Sequence, residues 1–179
     1  MADGLPSQVH PFVQLAVDAI AAHVRDFRFL PPPESLFEVF PDLRRRAGTF
    51  VSLKKRGELR GCIGTIEPMR ENIAMEIVEN AISAASKDPR FQPVEEDELS
   101  ALRVSVDILS QPERVAGPEA LDVRRYGLIV RSGHRRGLLL PDIEGIASVE
   151  EQMSVARKKG GIGEGERIEL YRFVVERYY

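Results

Sequence analysis

Apolar and polar residues along this chain alternate with two periods, and the switches between them mark its elements. Val9, Phe12, Val13, Ala16, Ile20, Val24 and Phe27 recur three and four apart, which predicts an amphipathic helix over 9–29. Pro31-Pro32-Pro33 ends it, because proline forces extended backbone and removes amide donors. An irregular link over 34–48 follows. A second helix over 70–86 carries Ile73, Ile77, Val78, Ala81, Ala84 and Ala85 as its stripe, and Asp88-Pro89 closes it. The acidic stretch from Glu95 to Glu98 reads as a solvated turn. A third helix over 149–159 turns Met153 and Ala156 inward and exits through Gly160, Gly161 and Gly163.

Between these helices the period is two. Val51 and Leu53 alternate with Ser52 and Lys54, then Leu59 and Ile63 with Arg60 and Cys62, so 49–66 predicts a β-hairpin. A three-residue loop, Lys55-Arg56-Gly57, pairs Lys54 with Glu58 and keeps the apolar residues on one face. A two-residue loop sets Leu53 beside Arg60 and mixes the faces, so the longer loop is preferred. Phe50, Ser52, Arg60, Cys62 and Gly64 then line the opposite face. Strands are expected over 102–109 and 168–178, and a second hairpin joins 126–131 to 137–140 around Ser132-Gly133-His134. Three main helices scattered among hairpins predict an α+β fold with a mainly antiparallel or mixed sheet.

Composition changes this picture little. A chain of 179 residues, 43% hydrophobic and 30% charged, fits one soluble domain over 1–179 with a real core. The net charge of −3 offers no basic field, and the short clusters Arg44-Arg45-Arg46, Lys54-Lys55-Arg56 and Arg135-Arg136 read as solvated turns, which argues against nucleic acid. One cysteine excludes an internal disulfide and a Cys-rich metal site, and no His or carboxylate spacing resembles a metal centre. No signal peptide or membrane span is legible, so a cytoplasmic location is expected.

Candidate chemistry concentrates in Leu59-Arg60-Gly61-Cys62-Ile63-Gly64-Thr65-Ile66, where two glycines, a cation and the only thiol share a strand. Residues two apart on a strand share a face, so Arg60 is expected beside Cys62, favouring a thiolate. Gly61 and Gly64 would leave room for a ligand. A lone cysteine is also a common small core residue, and that reading stays open. Of the histidines, His10 and His23 fall at the ends of the first helix and His134 at a hairpin tip. None has a spacing that joins it to Cys62. Glu67, Glu76 and Asp88 read as surface charge. The glycine-rich Gly160–Gly165 follows a helix, whereas a phosphate loop precedes one.

The Leu59–Thr65 stretch resembles the signature of the AMMECR domain family. Asp88-Pro89-Arg90-Phe91 with Pro93-Val94, Val104-Ser105-Val106 with Pro112-Glu113, and Gly137-Leu138-Leu139-Leu140-Pro141 with Ala156-Arg157-Lys158-Lys159-Gly160-Gly161-Ile162 resemble its later motifs in order. Pro141-Asp142-Ile143-Glu144-Gly145-Ile146 departs from the more widespread Pro-Gln continuation and is similar to bacterial members called protein A of a system with a Memo-like protein and a radical SAM protein. The resemblance implies two lobes around a cleft with the signature strand at it, and names no reaction and no cofactor. It carries over Arg60, Gly61, Cys62, Gly64 and Thr65 as site residues, with Asp88 and Arg90 second.

Two functional readings result. In one, the chain is a binding or accessory component for Memo-like and radical SAM proteins, or for a small-molecule or protein-bound ligand in the cleft, held by Gly61, Gly64, Thr65, Asp88 and Arg90. In the other, it is an enzyme whose Cys62 is nucleophile or redox centre, assisted by Arg60. The binding reading takes precedence because no general base is visible.

Overall fold

Residues 9–179 are described by a computed structural model of the chain; the first part of the N-terminal segment, where no signal peptide is expected, lies outside them. Helix α1 (Pro11–Asp26) opens with proline in its first turn and ends at Phe27 in the left-handed region, so it stops before the three prolines reach it. The expected irregular link instead holds a short helix α2 (Glu34–Val39) and a 3-10 turn (Pro41–Arg44). Strands β1 (Thr49–Lys55) and β2 (Glu58–Gly64) form the first hairpin, and helix α3 (Ile73–Ser86) follows, capped by the Asn72 side chain. A 3-10 turn over Glu96–Ala101 leads into β3 (Leu102–Leu109).

The remainder adds a short β4 (Glu113–Val115), the hairpin β5 (Gly127–Ser132) and β6 (Arg135–Leu139), helix α4 (Val149–Lys159), and β7 (Glu169–Phe173) and β8 (Val175–Tyr178). The single strand expected over 168–178 is thus two strands. They part at Val174, whose N–H and C=O are both taken by Ser110. The fold is α+β, with two four-stranded antiparallel sheets ordered β2-β1-β3-β8 and β4-β7-β5-β6. No helix among the described residues is long and apolar enough to cross a membrane.

The chain divides into two compact units: one runs to Ile108 and regains Arg177–Tyr179, the other is Leu109–Glu176. In the first, α3 packs on α1 and on β1 and β2, burying Ala16, Ala19, Ile20, Ile77, Val78, Ala81, Val51, Leu53 and Val106 together. Small residues along both helices allow that close approach. In the second, α4 covers one face of its sheet through Ala156, Leu128, Val130, Leu139, Ile162 and Leu170.

The first hairpin corrects the expected loop. Arg56 and Gly57 both have positive φ, 54° and 88°, and form a two-residue turn that pairs Lys55 with Glu58. The face-mixing that this turn would cause is removed by a bulge. Lys54 faces Leu59 while Leu53 faces Gly61, so Arg60 is one extra residue on β2. Beyond it Val51 faces Ile63 and Ser52 faces Cys62, and the predicted apolar face is restored.

Candidate functional site

Strand β2 is an edge strand, and the segment 88–98 lies along it, fastened by two carboxylates. The first is Asp88, whose side chain is only 2% exposed. It accepts the Cys62 backbone N–H at 2.9 Å and the Arg90 N–H at 3.1 Å, while the Arg90 guanidinium donates to it at 2.9 and 2.7 Å. Arg90 also donates to the Cys62 carbonyl at 3.3 Å. Aspartate and arginine together therefore satisfy both outward backbone groups of Cys62, as a neighbouring strand would. The Arg90 hydrogen bonds, against burial and with help from the Cys62 and Arg90 amides, hold the Asp88 carboxyl well below the usual carboxylate range. Arg90 is raised in turn, mainly by Asp88, with Cys62 the last of its causes. Its side chain stays 54% exposed, and its guanidinium lies 5.4 Å from the Phe91 ring centre.

The second carboxylate is Glu98. Arg60 grips both its oxygens, at 3.0 and 2.8 Å, and Lys55 donates at 2.7 Å. Its other partner is the Glu95 amide in a capping box that starts the 3-10 turn. The Arg60 bonds, against burial and with help from Lys55 and Glu95, draw the Glu98 carboxyl down to about 2. Arg60 spends its remaining donors on the carbonyls of Gln92 and Pro93. The expected solvated turn at Glu95–Glu98 is corrected, since Glu98 is buried. Arg60 is the extra residue of the bulge and its fork is engaged by Glu98, while Arg90 is the guanidinium that bonds the Cys62 backbone carbonyl.

Cys62 is half-buried and accepts the Ser52 hydroxyl at 3.2 Å across the β1–β2 pair. The room expected at the glycines is filled by the protein itself. A Cβ on Gly61 would overlap the Ala84 carbonyl of α3, and one on Gly64 would overlap the Phe50 ring. Thr65 turns its hydroxyl inward, donating to Glu76 at 2.6 Å and accepting from Asn80 at 3.2 Å. Glu76 is 1% exposed, not a surface charge, and also holds the amides of Met69 and Arg70 at 2.8 Å. Asn80 extends the network to Thr49.

The structure thus brings Cys62, Ser52, Asp88 and Arg90 together and pairs Arg60 with Glu98, the Arg60 and Arg90 guanidiniums lying 6.0 and 5.4 Å from the same Phe91 ring centre. His134 is exposed at a hairpin tip in the second unit. Glu98, Glu76 and Asn80 are partners of the signature segment that no apolar periodicity in the sequence reveals. The Glu95–Glu98 spacing was the one available signal, since a Glu three residues after a capping acceptor marks a helical start. Among the described residues, no group of three or more His, Cys, Asp and Glu is placed to hold a metal ion.

The sequence model described as AMMECR1 matches residues 13–178. A protein of Thermotoga maritima is 53% identical over 94% of this chain and 97% of its own length. A protein of Clostridium acetobutylicum is 45% identical over 94% of this chain, which spans only 36% of that longer relative. The crystal structure of an uncharacterised protein from Pyrococcus horikoshii superposes with a TM-score of 0.83 at 32% identity, over 93% of this chain and 88% of that one. Ordered motifs, fold and relatives agree, and the chain belongs to the AMMECR1 family.

Proposed function

We propose that this AMMECR1 domain is a binding or accessory component, a single two-lobed domain that works in the cytoplasm with Memo-like and radical SAM proteins. On this reading the exposed guanidinium of Arg90, held in place by Asp88, and the Cys62 thiol beside it form the contact patch on the signature strand. The observation that carries it is the state of the two carboxylates along β2. Each is saturated by hydrogen bonds and held ionised by a guanidinium, so neither Asp88 nor Glu98 has a lone pair or a proton affinity suited to general-base work near neutral pH. A thiol with no base beside it is better suited to contact than to turnover.

The second reading is an enzyme that uses Cys62 as nucleophile or redox centre. What favours it is the half-buried Cys62 with the Ser52 hydroxyl on its sulfur and the Arg90 guanidinium on its carbonyl. Arg90 then takes the part first given to Arg60. Co-purification of the tagged chain with the Memo-like and radical SAM proteins of its own organism separates the two. Binding that survives Cys62→Ala and is lost in Arg90→Gln supports the contact patch. Failure to co-purify at all sinks it. Alkylation by iodoacetamide no faster than that of free cysteine between about pH 6 and pH 9 removes the enzyme reading.

A further inference from the structure

We propose that His10 is a pH-sensitive latch between the start of helix α1 and the C-terminal strand β8, holding both when neutral and releasing them when protonated. Three contacts meet at this one residue. As the N-cap of α1, its Nδ1 accepts the Phe12 amide at 3.3 Å. Its ring stacks 4.4 Å from that of Tyr178 on β8, with Phe12 edge-on at 4.5 Å. Its backbone N–H donates to the Tyr179 carbonyl at 3.2 Å. The cap needs a lone pair on Nδ1, which the imidazolium does not have.

Protonation would also place a positive charge at the positive end of the α1 dipole, whose first turn contains no acidic residue. The groups that face the ring decide whether that charge is tolerated. On α1 itself Asp18, bonded by Gln14, lines the same hollow and favours the cation. From β8 Arg177 opposes it, but its guanidinium is engaged by Asp107 at 2.7 and 2.9 Å and is further bonded and attracted by Tyr179, which lines the same hollow with Tyr178. Pro33, Leu36 and Phe40, from the α2 side, are uncharged. Burial prevails, and His10 is held below the ordinary histidine value of 6.5. The far end of the latch reaches the signature sheet. Asp107 pairs with Phe50 on β1, two positions along from the Ser52 that faces Cys62.

The test is NMR on the full chain, following the His10 ring and the backbone amides of Arg177 to Tyr179 from about pH 7.5 down to about pH 5. Exchange of those amides, corrected for its intrinsic pH dependence, should quicken about tenfold as His10 titrates, the size of a lost cap. His10→Asn keeps a capping acceptor that cannot charge, and should leave the strand protected across the whole range. His23 and His134 serve as references within the same molecule. The latch is overturned if His10 titrates at or above 6.5, if β8 exchange does not follow its titration, or if His10→Asn shows the same acceleration.

Discussion

Asp88 and Glu98 fasten the same strand from the same segment, yet they differ in what they leave accessible. Around Glu98 the main partner is withdrawn from solvent, the Arg60 side chain being 16% exposed and that of Lys55 33%. Around Asp88 the carboxylate is buried but its arginine is 54% exposed. The first cluster is closed on itself and holds the bulge. The second pins the Cys62 backbone and presents an accessible guanidinium. The same pair of residue types therefore supports structure in one place and an accessible surface ten residues away, and only burial separates the two. Arginine in an ion pair is not by that fact functional or structural.

The comparison breaks most directly by removing each arginine. Arg60→Ala leaves the buried Glu98 with Lys55 and one amide, and should destabilise the fold by about 3–5 kcal/mol, the usual penalty for orphaning a buried charge. Arg90→Gln leaves Asp88 its two amide donors and removes a half-exposed cation, so about 1–2 kcal/mol is expected. Urea denaturation of the two variants side by side checks this, and equal losses would erase the distinction between the clusters.

Gly61→Ala asks whether the signature glycine is room for a ligand or a contact between strand and helix. The added Cβ overlaps a backbone carbonyl of α3, which cannot swing aside as a side chain can. A loss of about 1–3 kcal/mol with α3 amides exchanging faster is expected, as for other overpacked cores. An unchanged denaturation midpoint would restore the glycine as open space.

These two sites also mark how far the sequence could be read. The alternation of Val51 and Leu53 with Ser52, and of Ile63 with Cys62, reveals the hairpin and which face each residue takes, because period two is local. The bulge at Arg60 is not local. It reconciles a two-residue turn with the apolar face, and Glu98, 38 positions on, then claims the displaced guanidinium. The helix at 149–159 is legible because Met153 and Ala156 face inward and the glycines beyond Lys159 end it, and the structure starts it at a Ser148–Glu151 capping box. Glu76, Asp88 and Glu98 read as surface charge for the opposite reason. A carboxylate looks solvated in sequence until the amides, hydroxyl or guanidinium that satisfy it are brought in by the fold.

Acid sharpens the contrast further. Both carboxylates are depressed in the folded chain, so the unfolded chain takes up protons first as pH falls. Stability is complete above the ordinary carboxylate values and is lost below them. For Glu98 the window runs from 4.5 to about 2, a loss of about 1–3 kcal/mol on the usual conversion. Glu98→Gln should be less stable at neutral pH and show a shallower decline in this range. A slope unchanged by that substitution would mean that other carboxylates govern the acid limb.

The smallest effect belongs to Ser52. Its hydroxyl donates to sulfur, a weak acceptor, from a half-buried position where water can replace it. Ser52→Ala should therefore shift stability by no more than about 0.5 kcal/mol, within the range of ordinary surface substitutions. Its value lies in what else moves. If the thiol is part of an accessible patch, its alkylation rate should change in Ser52→Ala while the midpoint stays put, because the partner on sulfur has been removed and the strand has not. A rate that stays constant, together with a constant midpoint, would place Cys62 with Gly61 among the residues that only pack.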